Sequence, residues 1–288
     1  MFLFLRCVAR FIFNRLRRWL LPHLIARSRR KYPKIRSNVV RISARTVVKM
    51  GDAEYLSGEA EATRYAAKNC PSIPIPRVHD FWVESNGDAK LIMDYVEGER
   101  LHMAWKRISQ AQKLTLLRML LRHIEALRSV PQPHGEGWVG SVSGGPTLDF
   151  CAFGEKLFGP FPNLSAYNDW RISTFSFFGD QHAGTAARLK ELRSEMPDSH
   201  RVTFTHGDLT DRNIIVRVLG DGPEDVVITA IVDWEQAGWR PEYWEKVKFY
   251  YNAGGGDWGE LGMKELFPEH GPELGREKEL WLIQGAPR

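Results

Sequence analysis

Residues 205–213 read THGDLTDRN and residues 231–235 read IVDWE, and these two stretches carry the strongest signal in the chain. Asp208 stands on a turn between two short hydrophobic runs, and Asn213 directly precedes the second run. Asp233 directly follows a third run. Runs of this length and composition predict short β-strands. Two carboxylates and one amide oxygen are therefore expected at the ends of neighbouring strands.

This set of side chains is suited to phosphoryl transfer, which needs positioned metal ions and a group that orients the nucleophile. A carboxylate within hydrogen-bond reach of a hydroxyl can orient it and accept its proton late in the transfer, and Asp208 fits this role. Mg²⁺ prefers hard oxygen ligands and commonly takes one or two carboxylates together with substrate phosphates. Asn213 and Asp233 would offer such oxygens. The alternative is a turn cluster without function, because Asp, Asn and Gly favour loops.

Outside these stretches, strand signals dominate before residue 98 and helix signals dominate after it. The first part predicts a hairpin over 38–50 that turns at 43–45, a helix over 58–68, and strands over 78–84 and 90–96. The second part predicts a long helix opened by a capping box of Ser109 and Gln112. It also predicts helical structure over 164–195 and strands over 202–204, 214–218 and 226–232. A small β-rich lobe is thus expected before a larger, mainly helical lobe.

The charge of the chain is unevenly distributed, although its formal net charge is only +5. Fourteen of the 40 Lys and Arg residues lie within residues 1–51, which contain none of the 35 acidic residues. The main body is therefore mildly acidic, which argues against nucleic acid as its partner, because phosphate backbones require a basic surface. The three cysteines are widely spaced and odd in number, which favours reduced thiols over a disulfide framework.

The basic segment begins with an amphipathic helical pattern over residues 2–21, which Pro22 is expected to end. Five arginines interrupt it, so the segment is not predicted to span a membrane. Three interpretations stay open: a helix on a membrane surface, a mitochondrial targeting segment, or a helix packed against the body of the protein. The residues on its apolar face are Leu5, Val8, Ile12, Leu16 and Trp19.

The sequence resembles the aminoglycoside phosphotransferase and choline kinase-like group of the protein-kinase-like fold. The resemblance rests on HGDxxxxN at 206–213, followed by two hydrophobic residues and Asp-Trp. It is nearest to fungal proteins that carry an aminoglycoside phosphotransferase domain, whose wording is similar to ITAIVDWEQAGWRPEYWE at 228–245. Further stretches match in the family's order: VVKMG at 47–51, SIPIPRV at 72–78 and LIMDYVEGERL at 91–101.

The resemblance implies a nucleotide site. Lys49 takes the position of the lysine that contacts the α- and β-phosphates, and Glu59 that of the helix glutamate that pairs with it, with Glu61 as the alternative. One departure is that no GxGxxG precedes Lys49, because the preceding turn is the Ser-Ala-Arg of residues 43–45. Coverage of the phosphates by a glycine-rich loop is therefore not expected.

The resemblance also implies roles around the adenine and at the reacting phosphate. Met93 would lie beside the adenine, and Asp94 and Val96 would lend backbone groups at the hinge between the lobes. Asp208 would be the catalytic aspartate. The metal ligands would be Asn213 and Asp233.

Together these observations predict a bilobal α+β fold of the protein-kinase-like type, with a small β-rich N-lobe and a larger, mainly helical C-lobe. Residues 1–37 are expected to form the basic N-terminal segment, 38–97 the nucleotide-binding N-lobe, and 98–288 the C-lobe with the catalytic loop and the acceptor site.

The predicted function is Mg²⁺-dependent transfer of the γ-phosphate of ATP or GTP to a hydroxyl group of a small molecule. One alternative is a nucleotide-binding pseudoenzyme with a regulatory or scaffold role. A protein kinase is disfavoured, because no APE-type segment follows Asp233. The expected location is cytoplasmic, with mitochondria or peripheral membrane contact through residues 2–21 as the alternatives.

Overall fold

The computed structural model of the protein describes residues 2–150, 156–175 and 184–283, with side chains described for Leu16 and from Arg18 onward. Its first sheet is antiparallel and contains β1 (Val39–Arg41), β2 (Thr46–Asp52), β3 (Val78–Val83) and β4 (Asp88–Asp94). The strand order is β1-β2-β4-β3. The predicted hairpin and the predicted pair of strands that follows it are therefore confirmed.

Helix α2 (Ala53–Asn69) packs on this sheet and begins five residues earlier than the sequence pattern predicts. The reason is a cap at Asp52, whose side chain accepts a hydrogen bond from the N–H of Glu54 at 2.8 Å. Such a cap satisfies one of the free donors at a helix start. The early start brings Glu59 to the second turn of the helix, on its buried side.

Helix α1 (Phe2–Lys31) continues through Pro22, so the prediction that this helix ends there is wrong. Its second half packs against the outer face of the sheet through the buried Leu21. Arg18 adds an ion pair with Asp80 at 2.7 Å. Tertiary contacts on both sides of the proline offset the hydrogen bond that the proline removes.

The predicted apolar face of α1 is not the face that packs. Leu16 and Trp19 are 52% and 72% exposed, whereas the side chains of Leu5, Val8 and Ile12 lie outside the described part of the structure. Packing against the body of the protein is thus confirmed for the second half of α1, through a different face. None of the described helices is both long and apolar enough to cross a membrane.

The remaining described chain is mainly helical. Its helices are α3 (Leu101–Ala104), α4 (Gln110–Arg128), α5 (Leu164–Ser173), α6 (Thr185–Glu195), α7 (Trp244–Ala253), α8 (Asp257–Leu266) and α9 (Gly271–Ile283). Its strands are β5 (Glu99–Arg100), β6 (Thr147–Leu148), β7 (Leu157–Phe158), β8 (Val202–Thr205), β9 (Ile214–Val218), β10 (Val226–Ile231) and β11 (Gly238–Pro241). Three antiparallel groups result: β10-β9-β5, β11-β8 and β6-β7.

Helix α4 is the central support of this part. Its predicted capping box is confirmed, since Ser109 accepts from the N–H of Gln112 while the Gln112 side chain accepts from the N–H of Ser109. Its buried face contributes Leu117, Ile124 and Leu127 to a core that also contains residues of β8, β9 and β10. The strands that flank residues 205–213 and 231–235 therefore pack against a long helix with a capped N-terminus.

A buried ion pair joins the last helix to this core. Arg171 of α5 donates to Glu277 of α9 at 2.7 Å, and both side chains are 1% exposed. The Arg171 guanidinium also lies over the ring of Trp244, the first residue of α7. The pair therefore fixes three helices relative to one another, including the helix that faces the catalytic loop.

We predict that Glu277→Ala lowers the free energy of unfolding by about 3–5 kcal/mol, because it leaves the Arg171 charge buried without a partner. Urea denaturation followed by circular dichroism measures this. The control is the double variant Arg171→Met/Glu277→Leu, which removes both charges and should recover most of the loss. A single variant as stable as the wild type would contradict the prediction.

Candidate active site

The loop between β8 and β9, residues 206–213, is held by a buried carboxylate. Glu245 of α7 accepts hydrogen bonds from the backbone N–H groups of His206 (2.8 Å) and Gly207 (3.2 Å). Gly207 has φ = 76°, and a Cβ there would lie 2.5 Å from the carbonyl of Gln236. Burial raises the pKa of Glu245 to about 7, against the opposing effect of these two donors.

His206 braces the same loop. Its Nε2 lies 3.1 Å from the carbonyl of Val232, and its Nδ1 accepts from the N–H of Asp208 at 3.2 Å. Burial lowers the pKa of His206 to about 4, so the ring is neutral at physiological pH. A neutral imidazole can donate through one nitrogen and accept through the other. His206 therefore ties the loop to the end of β10.

Asp208 is held by two side-chain amides. Its two oxygens accept from Asn252 of α7 at 2.9 Å and from Asn213 at 2.7 Å. Burial raises the pKa of Asp208 to about 6, while Lys248 lowers it and Asp233 raises it further. Because Asn213 uses its NH₂ group on Asp208, its carbonyl oxygen points the other way, toward Asp233.

Asp233 receives two cations. Lys49 donates to its Oδ1 at 2.5 Å, and Arg36 donates to its Oδ2 at 2.6 Å. Burial alone would raise the pKa of Asp233, but Lys49 and Arg36 outweigh it and hold that pKa below its usual value. The residue has φ = 71° and ψ = 57°, a left-handed conformation uncommon for a non-glycine residue. The Oδ1 of Asn213 also accepts from Arg36 at 3.1 Å, so Arg36 links Asp233 to Asn213.

Lys49 of β2 forms the centre of a carboxylate cluster. Glu59 of α2 lies 2.6 Å from its ammonium group, and Glu235 lies at 3.3 Å. Burial would lower the pKa of Lys49, but the carboxylates raise it above its usual value, so Lys49 stays charged. Burial raises the pKa of Glu59 to about 7 despite Lys49. The alternative partner Glu61 is exposed and does not enter the cluster.

Two cavities meet at these residues. One has a volume of about 210 Å³ and is lined by Met93, Asp94 and Val96 at one end and by Lys49 and Glu59 at the other. We call it the nucleotide cavity. The other has a volume of about 340 Å³, and we call it the acceptor cavity. Its lining includes Asp208, Asn213, Lys248, Asn252, Gln236 and Phe150.

Asp233 borders both cavities, together with Arg36 and Arg212. Asp208 lines the acceptor cavity but not the nucleotide cavity, and Lys49 lines the nucleotide cavity but not the acceptor cavity. All eight residues singled out from the sequence therefore lie on one continuous surface. A group bound at the junction would contact the residues expected to bind metal and phosphate, with Asp208 on its far side.

The sequence reasoning did not identify three contributors: Arg36, Glu245 and Asn252. Glu245 lies within the stretch whose wording resembles the fungal proteins, so that stretch contained a signal for it. The sequence contained no such signal for Asn252 and Arg36, because each is distant along the chain from its partner. Asn252 lies 44 residues from Asp208, and Arg36 lies 177 residues from Asn213.

A model of the phosphotransferase enzyme family, APH, matches residues 26–275. The chain belongs to this family. The match begins inside α1 and includes residues 205–213, residues 231–235 and the residues that line both cavities. No curated protein sequence gives a significant match to the chain.

Solved structures of the family share the fold. The GDP and kanamycin complex of APH(2")-IIia is similar with a TM-score of 0.58 and 12% identity, over 91% of this chain and 87% of that chain. The apo form of a thermostable mutant of aminoglycoside phosphotransferase APH(4)-Ia gives 0.55 and 17%, over 85% and 79%. The D198A form of the thermostable APH(4)-Ia mutant, in a ternary complex with ADP and hygromycin B, gives 0.56 and 16%, over 88% and 82%. The predicted bilobal α+β, protein-kinase-like fold is thus confirmed.

We predict that Glu245→Ala lowers the free energy of unfolding by about 2–4 kcal/mol, because two buried N–H groups of the catalytic loop lose their acceptor. Urea denaturation monitored by tryptophan fluorescence measures the loss. Glu245→Gln is the matched control, since its amide oxygen still accepts a hydrogen bond, and it should lose less than half as much. Equal losses in the two variants would show that the charge, and not the acceptor, holds the loop.

Proposed function

We propose that this member of the phosphotransferase enzyme family transfers the γ-phosphate of ATP or GTP to a hydroxyl group of a small molecule. The observation that carries the proposal is the junction of the two cavities at Asp233, with Lys49 on one side and Asp208 on the other. Phosphoryl transfer requires a donor and an acceptor in line on the two sides of the moving group, and a cavity on each side of the junction supports this proposal.

The apolar end of the nucleotide cavity suits a purine base. Met93 is buried beside it, and the cavity continues along Asp94 and Val96. The N–H of Asp94 already donates to the carbonyl of Arg77 at 3.0 Å. In the proposal, Asp94 therefore contributes its carbonyl oxygen to the base, and Val96 contributes its N–H. We assign this end of the site to the N-lobe, residues 38–97, and the acceptor cavity, apart from Arg36 on its border, to residues 98–288.

The donor set at the junction fits a divalent cation. The Oδ1 of Asn213 and the Oδ2 of Asp233 are hard oxygens, and they already converge on one cationic group of this chain, the guanidinium of Arg36. Mg²⁺ is commonly held by one or two such ligands together with phosphates. When bound, it would neutralise charge on the phosphates. Lys49 adds a fixed positive charge next to it.

Asp208 acts on the acceptor. Two amides fix its carboxylate so that it faces the acceptor cavity. A pKa of about 6 leaves it ionised at neutral pH while keeping it basic enough to accept a proton. In the proposed mechanism it orients the hydroxyl for attack on the γ-phosphate and takes its proton as the new P–O bond forms and the bond to the leaving nucleoside diphosphate breaks.

The proposal includes a cytoplasmic location. It also includes a closer relationship to fungal members of the family, which the sequence of residues 228–245 favours. The rival hypothesis is a nucleotide-binding pseudoenzyme. The observation that favours it is the ion pair of Arg36 with Asp233, one of the two residues proposed to bind the metal. It predicts nucleotide binding without turnover in the wild-type chain.

We predict that Asp208→Asn lowers Mg²⁺-dependent ATP turnover, to water or to an accepted alcohol, by about 10²–10⁴-fold, the usual contribution of a general base. The thermal shift with ATP should persist, because Asp208 does not line the nucleotide cavity. Asp211→Asn is the control, since Asp211 lies on the same loop outside the linings of both cavities. Full turnover in Asp208→Asn would refute the assignment, and no turnover in the wild type would favour the pseudoenzyme.

We also predict that kcat/KM rises with pH through an apparent pKa of about 6. Burial raises the pKa of Asp208 to about 6, and only the ionised carboxylate can accept the proton, so the rate should fall about tenfold for each pH unit below that value. A rate profile between pH 5 and 8 measures this, with the Kd for ATP over the same range as the control. A rate that does not change over this range would contradict the role of Asp208 as base.

A further inference from the structure

The segment that joins α1 to β1, residues 32–38, contributes to the nucleotide cavity, and we call it the strap. Two of its residues, Ile35 and Arg36, line that cavity. The Ile35 side chain packs against the buried core of the N-lobe, and its carbonyl accepts a hydrogen bond from Arg100 at 3.3 Å. The strap is thus anchored directly beside Arg36, in a chain that has no GxGxxG before Lys49.

The guanidinium of Arg36 binds the two oxygens assigned to the metal. Its Nη1 donates to Oδ2 of Asp233 at 2.6 Å, and its Nη2 donates to Oδ1 of Asn213 at 3.1 Å. The planar fork of arginine suits two acceptors that lie side by side. Arg36 therefore engages both oxygens at once from the strap.

A divalent metal and Arg36 exclude each other at this position. Mg²⁺ needs its oxygen ligands at about 2.0–2.1 Å in near-octahedral geometry. A metal held between Oδ2 of Asp233 and Oδ1 of Asn213 would need the space that the Arg36 guanidinium occupies, 2.6 and 3.1 Å from these oxygens. One cation must therefore leave before the other binds.

Departure of Arg36 leaves no buried charge alone. Its side chain is 34% exposed, so the guanidinium can return to water. Asp233 is 10% exposed but keeps Lys49 on its other oxygen. Asn213 keeps its two hydrogen bonds to Asp208. The exchange thus requires a rotation of one side chain and no rearrangement of the fold.

We propose that Arg36 is an exchangeable internal cation that occupies the metal position in the nucleotide-free chain and competes with the divalent metal for it. The inference rests on the proposed function, because it takes Asn213 and Asp233 as metal ligands. The strap thereby regulates metal loading: the apparent metal affinity is reduced by the fraction of chains in which Arg36 is bound.

The test is a titration of the full, nucleotide-free chain with Mn²⁺, followed by electron paramagnetic resonance of the free ion. Arg36→Gln should bind Mn²⁺ about tenfold more tightly than the wild type, since a charge-assisted pair has been removed from the competing state. Arg36→Lys should give an intermediate affinity, because an ammonium keeps the charge but lacks the planar fork that matches two acceptors lying side by side. Asp233→Asn should lose the binding.

Arg212→Gln is the matched control for the loss of a positive charge. Arg212 borders both cavities as Arg36 does, but among the described contacts it makes no hydrogen bond to Asp233 or Asn213. It should give a clearly smaller increase than Arg36→Gln. Equal increases would show a general effect of charge and would overturn the inference.

The remaining outcomes separate the inference from the proposed function. Arg36→Gln with wild-type or weaker Mn²⁺ affinity, combined with loss of binding in Asp233→Asn, would overturn the inference and leave the metal ligands intact. Wild-type affinity in Asp233→Asn would overturn the metal ligands themselves, and the inference with them. Circular dichroism of each variant verifies that the chain is folded.

Discussion

The ammonium group of Lys49 connects the two parts of the site. It stands on β2 and contacts Glu59 of α2 on one side and Asp233 at the end of β10 on the other. All three side chains are at most 10% exposed, so none of these charges can be removed singly without a large cost in desolvation. These contacts thereby fix the distance between the sheet of the first lobe and the loops of the second lobe. The shapes of both cavities depend on that distance.

The second lobe positions its loop through hydrogen bonds rather than through a cluster of ion pairs. Its catalytic loop is held by backbone donors on Glu245 and by the neutral ring of His206, whose pKa burial lowers to about 4. Two amides then orient Asp208. Charge is thus concentrated at the junction of the cavities, while the loop that carries the base is positioned by hydrogen bonds.

The N-terminal segment gains a structural role in this arrangement. The second half of α1 packs on the sheet through Leu21 and Arg18, and the strap then brings Arg36 to the junction. The basic N-terminal segment therefore ends beside carboxylates of the site. Its positive charge and the carboxylate cluster are complementary, and the strap lines the nucleotide cavity in a chain that has no GxGxxG before Lys49.

The sequence by itself determined the loop at 206–213, the capping box of α4 and the pair formed by Asp208 and Asn213, because these depend on residues close together along the chain. Resemblance to a family extended this to Lys49 and Glu59. The tertiary structure alone decided the path of α1 through Pro22 and the positions of Arg36 and Asn252. These features depend on packing between segments that are distant along the chain. The energy of that packing exceeds the local conformational preferences, and no motif in the sequence records it.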